Sequence, residues 1–373
     1  MNQIGRARLQ ELGIKIGYLP CGKQNSICDV SQELLLGHES IIKGEGKLSV
    51  GEGPVRTGVT VLRPHRGDLW QDRPSAAFFS LNGCGVVTGS DWINECGALE
   101  GPIALTNSHS VGCVSKALTK IMHESYPNIG NLDDCYLPVI GECDDSPLND
   151  INGFHVQEEH VRKAFNNASN NESAEGAVGA GTGMSCYGFK GGIGTSSRLI
   201  ELENKKYTVG ALVNTNHGQT HQLMINGIPV GRVLAAEKEA VKNKEGSIVM
   251  ILATDAAMNQ RQLERLCKRA CMGLARTGSS AGNGSGDFVI AFSLGRRVPR
   301  QAKSAFIELP EIHNDYINPF FEAAAEATEE AILNSIFVAD TVIGRDNFKS
   351  PGLPVARCLE ILKGYAAIQE LRV

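Results

Sequence analysis

Six consecutive apolar residues, Ile248, Val249, Met250, Ile251, Leu252 and Ala253, limit what this chain can fold into more than any other stretch. A run of that length reads as a buried strand. Residues 258–275 (MNQRQLERLCKRACMGLA) follow, with apolar residues at three- and four-residue spacing that predict a helix. After them come a turn-rich stretch at 277–287 (TGSSAGNGSGD) and a second strand starting at Phe288. Strand, helix, Gly-rich loop and strand in that order can carry the loop back to the start of the first strand. Ser285 and Asp287 are therefore candidates for the neighbourhood of whatever precedes Ile248.

What precedes it is Ser247, at the border between the strand and a charged, linker-like run at 235–246 (AAEKEAVKNKEG). Exposed polar segments of that kind are where chains are nicked, whereas the strand would hold Ser247 rigidly. A cut between Gly246 and Ser247 would give the serine its own α-amine. With an ordinary pKa of about 7.7–8.0, such an amine can take the hydroxyl proton near neutral pH. Gly-Ser ahead of a strand is also common turn punctuation, and the dipeptide alone favours that plainer reading.

Further strand-like segments lie at 59–62, 76–81, 103–105, 207–213 and 288–292, and further helical patterns at 111–124 and 318–338. The mixture predicts α/β layers. At 373 residues, without a Pro- or Ser-rich linker, the chain forms one large domain or two interlocked ones. Its 42 glycines exceed the usual share of about 7% and imply many tight turns. A net charge of −5 with no polybasic run argues against nucleic acid as a partner. The N-terminal residues do not read as a signal peptide, and no apolar run approaches membrane-spanning length, so a cytoplasmic protein with no membrane partner is expected.

Eleven cysteines, an odd number with no CxxC pair, read as reduced thiols. Cys267 and Cys271 fit helix packing, and His155 and His160 lack the carboxylate pattern of a metal site, so no metal is expected. The Gly-rich stretch 176–194 (GAVGAGTGMSCYGFKGGIG) fails both nucleotide readings. Gly176, Gly179 and Gly181 lack the GxGxxG order, while Gly183 and Gly188 have P-loop spacing but Phe189 stands where lysine is required. No cofactor is expected, and this stretch reads as a structural loop or a pocket wall.

Segments spanning nearly the whole chain resemble one family. They include GPVRTGVT (53–60), LTNSHSVG (105–112), LNDINGFH (148–155), GAGTGMSCYGFKGGIGTSSR (179–198) and YTVGALVNTNHG (207–218). GSIVMILATDA (246–256), GLARTGSSAGNGSGDFVIAFS (273–293) and EEAILNSIFVADTVIGRD (329–346) continue the series. The family is the L-aminopeptidase/D-Ala-esterase/amidase (DmpA-type) hydrolases, which include the β-peptidyl aminopeptidases. The resemblance implies an α/β fold of four layers, αββα, with residues 1–373 forming a single catalytic domain. It implies a precursor that cuts itself between Gly246 and Ser247 into an α chain of 1–246 and a β chain of 247–373, and a homo-oligomer of such αβ units.

By the same resemblance Ser247 is the nucleophile, Ser285 and Asp287 orient it and relay protons, Asn216 donates to the oxyanion, and Glu142 binds the substrate's free amino group. The chain departs from the family at Asp144. Members carry an active-site tyrosine within a segment resembling ETYDG, whereas this chain reads ECDDS at 142–146. A carboxylate near a developing oxyanion is unfavourable unless turned away or protonated. The cluster Glu142, Asp144 and Asp145 also suggests a pocket that prefers substrates with extra positive charge, against the plainer reading of Asp144 and Asp145 as loop-surface charges.

The leading expectation is a self-processing aminopeptidase/amidase that releases N-terminal residues from short peptides, amides or esters through a Ser247 acyl-enzyme. The competing expectations are an uncleaved, non-catalytic binding or scaffold protein, which the change at Asp144 supports, and an acyltransferase in which an amine replaces water.

Overall fold

The computed structural model describes residues 5–171, 173–237 and 246–370, so positions 238–245 of the charged run lie outside the described residues. Thirteen strands are described among them. They are β1 (Leu35–Lys43), β2 (Val55–Arg63), β3 (Asp72–Gly83), β4 (Ile103–Asn107), β5 (Val139–Cys143), β6 (Ser185–Cys186) and β7 (Phe189–Lys190). The rest are β8 (Gly192–Leu202), β9 (Lys205–Thr215), β10 (Ile248–Thr254), β11 (Gly286–Pro299), β12 (Val342–Ile343) and β13 (Lys349–Ser350). The described helices are α1 (Ser90–Cys96), α2 (Val111–Ser125), α3 (Glu158–Asn166), α4 (Val230–Ala236), α5 (Gln260–Arg276), α6 (Asn318–Phe337) and α7 (Val355–Glu370).

Two sheets carry the architecture, one ordered β1-β2-β4-β5 and the other β3-β11-β10-β9-β8. The apolar run 248–253 becomes β10, the central strand of the second sheet, parallel to β11 and antiparallel to β9. All seven of its residues are buried because both faces are covered. Ile248, Met250 and Leu252 enter one core with Leu263, Leu266 and Ala270 of α5 and Ala324 and Ala327 of α6. Val249, Ile251 and Ala253, on the opposite face, pack in a second core with Ile103, Leu105 and Val139 of the other sheet. A third core joins the far face of that sheet, through Val59, Val61 and Ala104, to Val114 and Leu118 of α2 and Val161 of α3. The layers therefore run α, β, β, α, the four-layer sandwich expected.

Helix α6 is buried from Ala323 to Phe337 and includes Glu326, Glu329 and Glu330. Arg198 of β8, with no solvent exposure, pairs with Glu326 at 3.0 Å and with Glu330 at 2.6 Å. The Gly-rich stretch 176–194 is not a plain loop. It contains a 3-10 turn at Gly179–Gly181, the β6–β7 hairpin and the first residues of β8. Tyr187 and Gly188, both at positive φ, make the two-residue hairpin turn. No described helix is long and apolar enough to cross a membrane.

Candidate active site

The register of the second sheet brings three chain segments together at one end of β10. Ile248 lies opposite Thr215 of β9 on one side and Asp287 of β11 on the other. One residue earlier, Ser247 sits between Asn216 and Gly286. The Asn216 N–H donates to Ser247 O at 2.9 Å, and the Gly286 N–H donates to Ser247 Oγ at 3.1 Å. Ser247 is 8% exposed. A serine hydroxyl held by a backbone N–H, with its chain neighbour Gly246 on the wall of a small cavity, is placed for chemistry at its oxygen. That cavity, about 40 Å³, is lined by His217, Gly246, Ser279 and Ser285 among others.

Ser285 and Asp287 complete this end of the sheet. Ser285 Oγ donates to Asp287 Oδ1 at 2.9 Å, and both residues are buried. The second carboxylate oxygen, Oδ2, is buried without a hydrogen-bond partner. Burial raises the Asp287 carboxyl to about 6, opposed by the Ser285 hydroxyl and the nearby Asn82 amide. The Asn82 Nδ2 itself points at Gly282 O, 2.6 Å away. Gly286 is fixed sterically, since a Cβ there would lie 2.3 Å from Cys84 O. Gly246 is equally constrained, with a Cβ 1.9 Å from Asn216 O. His217 is no rival proton acceptor, because burial pushes its imidazole down to about 3 and it packs edge-on against Tyr187 at 5.1 Å.

Asn216 is held at both ends of its amide. Its Oδ1 accepts from Ser185 N at 2.9 Å, and its Nδ2 donates to Asp144 O at 2.8 Å. A primary amide carries two N–H donors, so one remains for a ligand. Asp144 is exposed and its Oδ1 accepts from Ser146 N at 2.8 Å, so its carboxylate is folded onto its own loop. Only its backbone carbonyl meets Asn216.

Glu142, on β5, is buried, with Oε1 accepting from Val86 N at 2.9 Å and Oε2 accepting a short hydrogen bond from Ser108 Oγ. Asp145 has no solvent exposure. Its Oδ1 accepts from Asn149 Nδ2 at 2.9 Å, and burial raises its carboxyl to about 7. The three acidic residues therefore do not form a shared pocket: successive residues of the loop leaving β5 point into different surroundings. Nor is Asp145 a loop-surface charge. A larger cavity of about 440 Å³ lies beside them, lined by Ser108, Asp144, Ser146, Asn149 and Arg345 among others.

The sequence reading gave no role to Ser108, Asn82, Ser185 or the Gly286 N–H. Ser108 and Ser185 sit inside stretches already quoted for their resemblance, LTNSHSVG and GMSCYG. Their contacts, across 34 and 31 residues of sequence, carry no local signal.

The model of peptidase family S58 matches residues 25–350. The chain belongs to that family. Beta-peptidyl aminopeptidase BapA of Sphingosinicella microcystinivorans is 41% identical, over 96% of this chain and 92% of the relative. Among solved structures, the PH0078 protein of Pyrococcus horikoshii OT3 superposes with a TM-score of 0.92 at 46% identity, covering 96% of this chain and 99% of that one. The L-aminopeptidase D-Ala-esterase/amidase of Ochrobactrum anthropi, described as a variant of the Ntn-hydrolase fold, superposes with a TM-score of 0.88 at 35% identity, over 96% and 99% of the two chains. This S58 peptidase accordingly has the Ntn-hydrolase type of αββα fold. It is a peptide-bond hydrolase with aminopeptidase/amidase function.

Proposed function

We propose that this S58 aminopeptidase makes its own nucleophile by cutting the bond between Gly246 and Ser247, leaving α and β chains of 1–246 and 247–373 within a single catalytic domain. The observation that carries the reading is the convergence on Ser247 of Gly286 N–H, Asn216 and the Ser285–Asp287 pair. In the cut, Ser247 Oγ attacks the Gly246 carbonyl carbon, the Gly246–Ser247 amide opens to an ester, and Ser247 N leaves as an amine. Water then hydrolyses the ester to free the Gly246 carboxylate.

In turnover the new α-amine accepts the Ser247 hydroxyl proton as Oγ attacks the substrate carbonyl. Ser285, held by Asp287, orients this pair, and the buried Oδ2 is available to an α-ammonium that the uncut chain does not possess. The spare Asn216 N–H donates to the tetrahedral oxyanion, an interaction typically worth about 10²–10³ in turnover. The amine or alcohol departs with the proton, and water releases the acyl group. Glu142 takes the substrate's ammonium, which restricts the enzyme to unblocked N-termini. Asp144 borders the substrate cavity and meets Asn216 through its carbonyl. The substrates are short peptides, amides or esters, and the named activity of the Sphingosinicella relative makes β-amino-acid amides the first class to test. A cytoplasmic location and assembly into homo-oligomers of αβ units belong to the same proposal.

Intact mass under denaturing conditions with N-terminal sequencing tests the cut. Dividing the 40.0 kDa chain after residue 246 gives pieces of about 26 and about 14 kDa, the smaller beginning Ser-Ile-Val-Met. Both must disappear in Ser247→Ala. A single chain that persists on long incubation removes the proposal.

A further inference from the structure

Lys190 is a lysine with no solvent exposure. Its Nζ donates to three backbone carbonyls: Gly181 at 2.8 Å, Met184 at 2.6 Å and Gly191 at 2.7 Å. All three ammonium hydrogens are thereby used. The buried Asp145 carboxyl acts on it from a distance, but no carboxylate is in ion-pair contact with it among the described residues. Burying a charge without a counter-ion is costly, and a convergent ring of carbonyl dipoles is what offsets that cost. Two of the carbonyls, those of Gly181 and Met184, end one turn ahead of β6, and the third, that of Gly191, directly follows β7. The ammonium therefore gathers the chain on both sides of the β6–β7 hairpin around one point.

That hairpin is the support of Asn216. Ser185 is the residue paired with Lys190 across it. The Ser185 N–H donates to Asn216 Oδ1, and two residues on, the Tyr187 N–H donates to His217 O at 2.7 Å. The hairpin is itself tied from outside through Lys190 N to Pro351 O at 2.7 Å and Ser185 Oγ to Ser350 Oγ at 2.8 Å. A side-chain amide turns about a soft terminal torsion, so the direction of its N–H groups is set by whatever holds its oxygen. Ser185 N–H is that holder on the oxygen side, with the Asp144 carbonyl holding one Nδ2 hydrogen, and the position of Ser185 depends on the turn that the Lys190 ammonium closes.

We infer that Lys190 is a positioning residue for the hydrolytic reaction: an internal cation that fixes the Ser185 N–H and so aims the Asn216 amide at the oxyanion. The inference rests on the proposed role of Asn216 as oxyanion donor. Burial lowers the Lys190 amine to about 7, so the three carbonyls hold a group whose charge is otherwise disfavoured. This also accounts for the failed P-loop pattern of 183–190. The stretch gathers its backbone around its own lysine rather than around a phosphate.

The test compares Lys190→Met, which removes all three donors, Lys190→Gln, which keeps two, Asn216→Ala, and the Lys190→Met/Asn216→Ala double variant. The rate of precursor cleavage is measured on folded protein, and kcat and KM on cut material. A misaimed donor is expected to cost kcat about 10–100-fold with KM within about twofold, less than the loss of the donor itself. Lys190→Gln should fall between wild type and Lys190→Met. The double variant should be no slower than Asn216→Ala alone, because the amide being aimed is already gone. In Lys190→Gly, methylammonium should restore part of kcat by refilling the ring of carbonyls.

Unchanged kcat in Lys190→Met, multiplicative losses in the double variant, or failure of both the Met and Gln variants to fold would each overturn the inference and leave Lys190 a purely structural residue. Full activity in Asn216→Ala would instead remove the oxyanion reading beneath it, an outcome told apart because that variant is measured on its own.

Discussion

Ser285 donates its hydroxyl to Asp287 at 2.9 Å while the other oxygen of the same carboxylate is buried with no partner. A carboxylate half satisfied in this way has an acceptor in reserve, and its ionisation decides whether the pair can hold charge beside Ser247.

The pH dependence follows with two opposite signs. The Asp287 carboxyl sits at about 6 in the folded protein, against about 3.9 when unfolded. The folded state binds this proton more tightly, so the group's contribution to stability is present at low pH and lost as pH rises from about 4 through about 6. Activity runs the other way, because only the carboxylate accepts from Ser285 and holds a positive α-amine. The kcat profile is expected to climb with an apparent pKa below about 6, since the α-ammonium of the cut enzyme draws the carboxyl down from its value in the uncut chain, and Asp287→Asn to lower kcat by about 10²-fold and abolish that limb. A limb that persists in Asp287→Asn assigns the titration elsewhere.

Gly246 leaves no room for a side chain, its Cβ position lying 1.9 Å from Asn216 O. Gly246→Ala is expected to fold around a displaced scissile bond and to remain uncut over times in which wild type is processed, read by denaturing electrophoresis. Normal cleavage of this variant would show that the carbonyl of residue 246 reaches Ser247 by another path.

Glu142→Gln keeps the shape of the side chain and removes the charge that would meet an ammonium. Substrate affinity carries the loss: KM for an amino-acid amide should rise about 10- to 100-fold, in line with a charge-assisted hydrogen bond of about 1.5–3 kcal/mol, with a smaller change in kcat. Equal KM values for wild type and variant would remove the ammonium role.

Asp144 turns its carboxylate to Ser146 N and gives only its carbonyl to Asn216. Asp144→Asn should therefore alter kcat by less than about threefold, surface substitutions away from special contacts being close to neutral. A tenfold gain would mean that the negative charge does reach the reacting oxygen.

Arg198 is fully buried between Glu326 and Glu330. Arg198→Met strands two carboxylates inside the protein, and its destabilisation is expected at about 3–5 kcal/mol, measured by denaturant unfolding. A loss below about 1 kcal/mol would mean that water or a rearranged partner reaches Glu326.

Four of the five strands of the second sheet could be read from the chain because their causes are local, whereas β8 was not foreseen and the four-layer class came from the family resemblance rather than from periodicity. The run 248–253 is apolar throughout since β10 is covered on both faces, and the 258–275 pattern resolved as α5 within two residues at its start. Strand β5 was not foreseen, since its glycine, glutamate and cysteine give no alternation, although it carries Glu142. The proximity of Ser247 to Ser285 and Asp287 followed from element order, but the Asn216–Ser247 pairing depends on strand register, which no single segment specifies. The same limit separated Glu142, Asp144 and Asp145: adjacency in sequence suggested one acidic pocket, whereas a strand end and a turn send successive side chains to different places.

Strand β10 begins one residue beyond Ser247 and is clasped along its whole length by β9 on one side and β11 on the other. Under the proposed cut, β3 and β9 belong to the first piece while β10 and β11 belong to the second, so both the β9–β10 and the β3–β11 ladders cross the boundary between two polypeptides. Helix α6, also from the second piece, lies against β8 and β9 of the first. Severing the chain therefore frees no edge and loosens no layer. The two fragments are expected to remain one cooperative body that melts in a single transition, so that parting them without denaturant would require the protein to unfold.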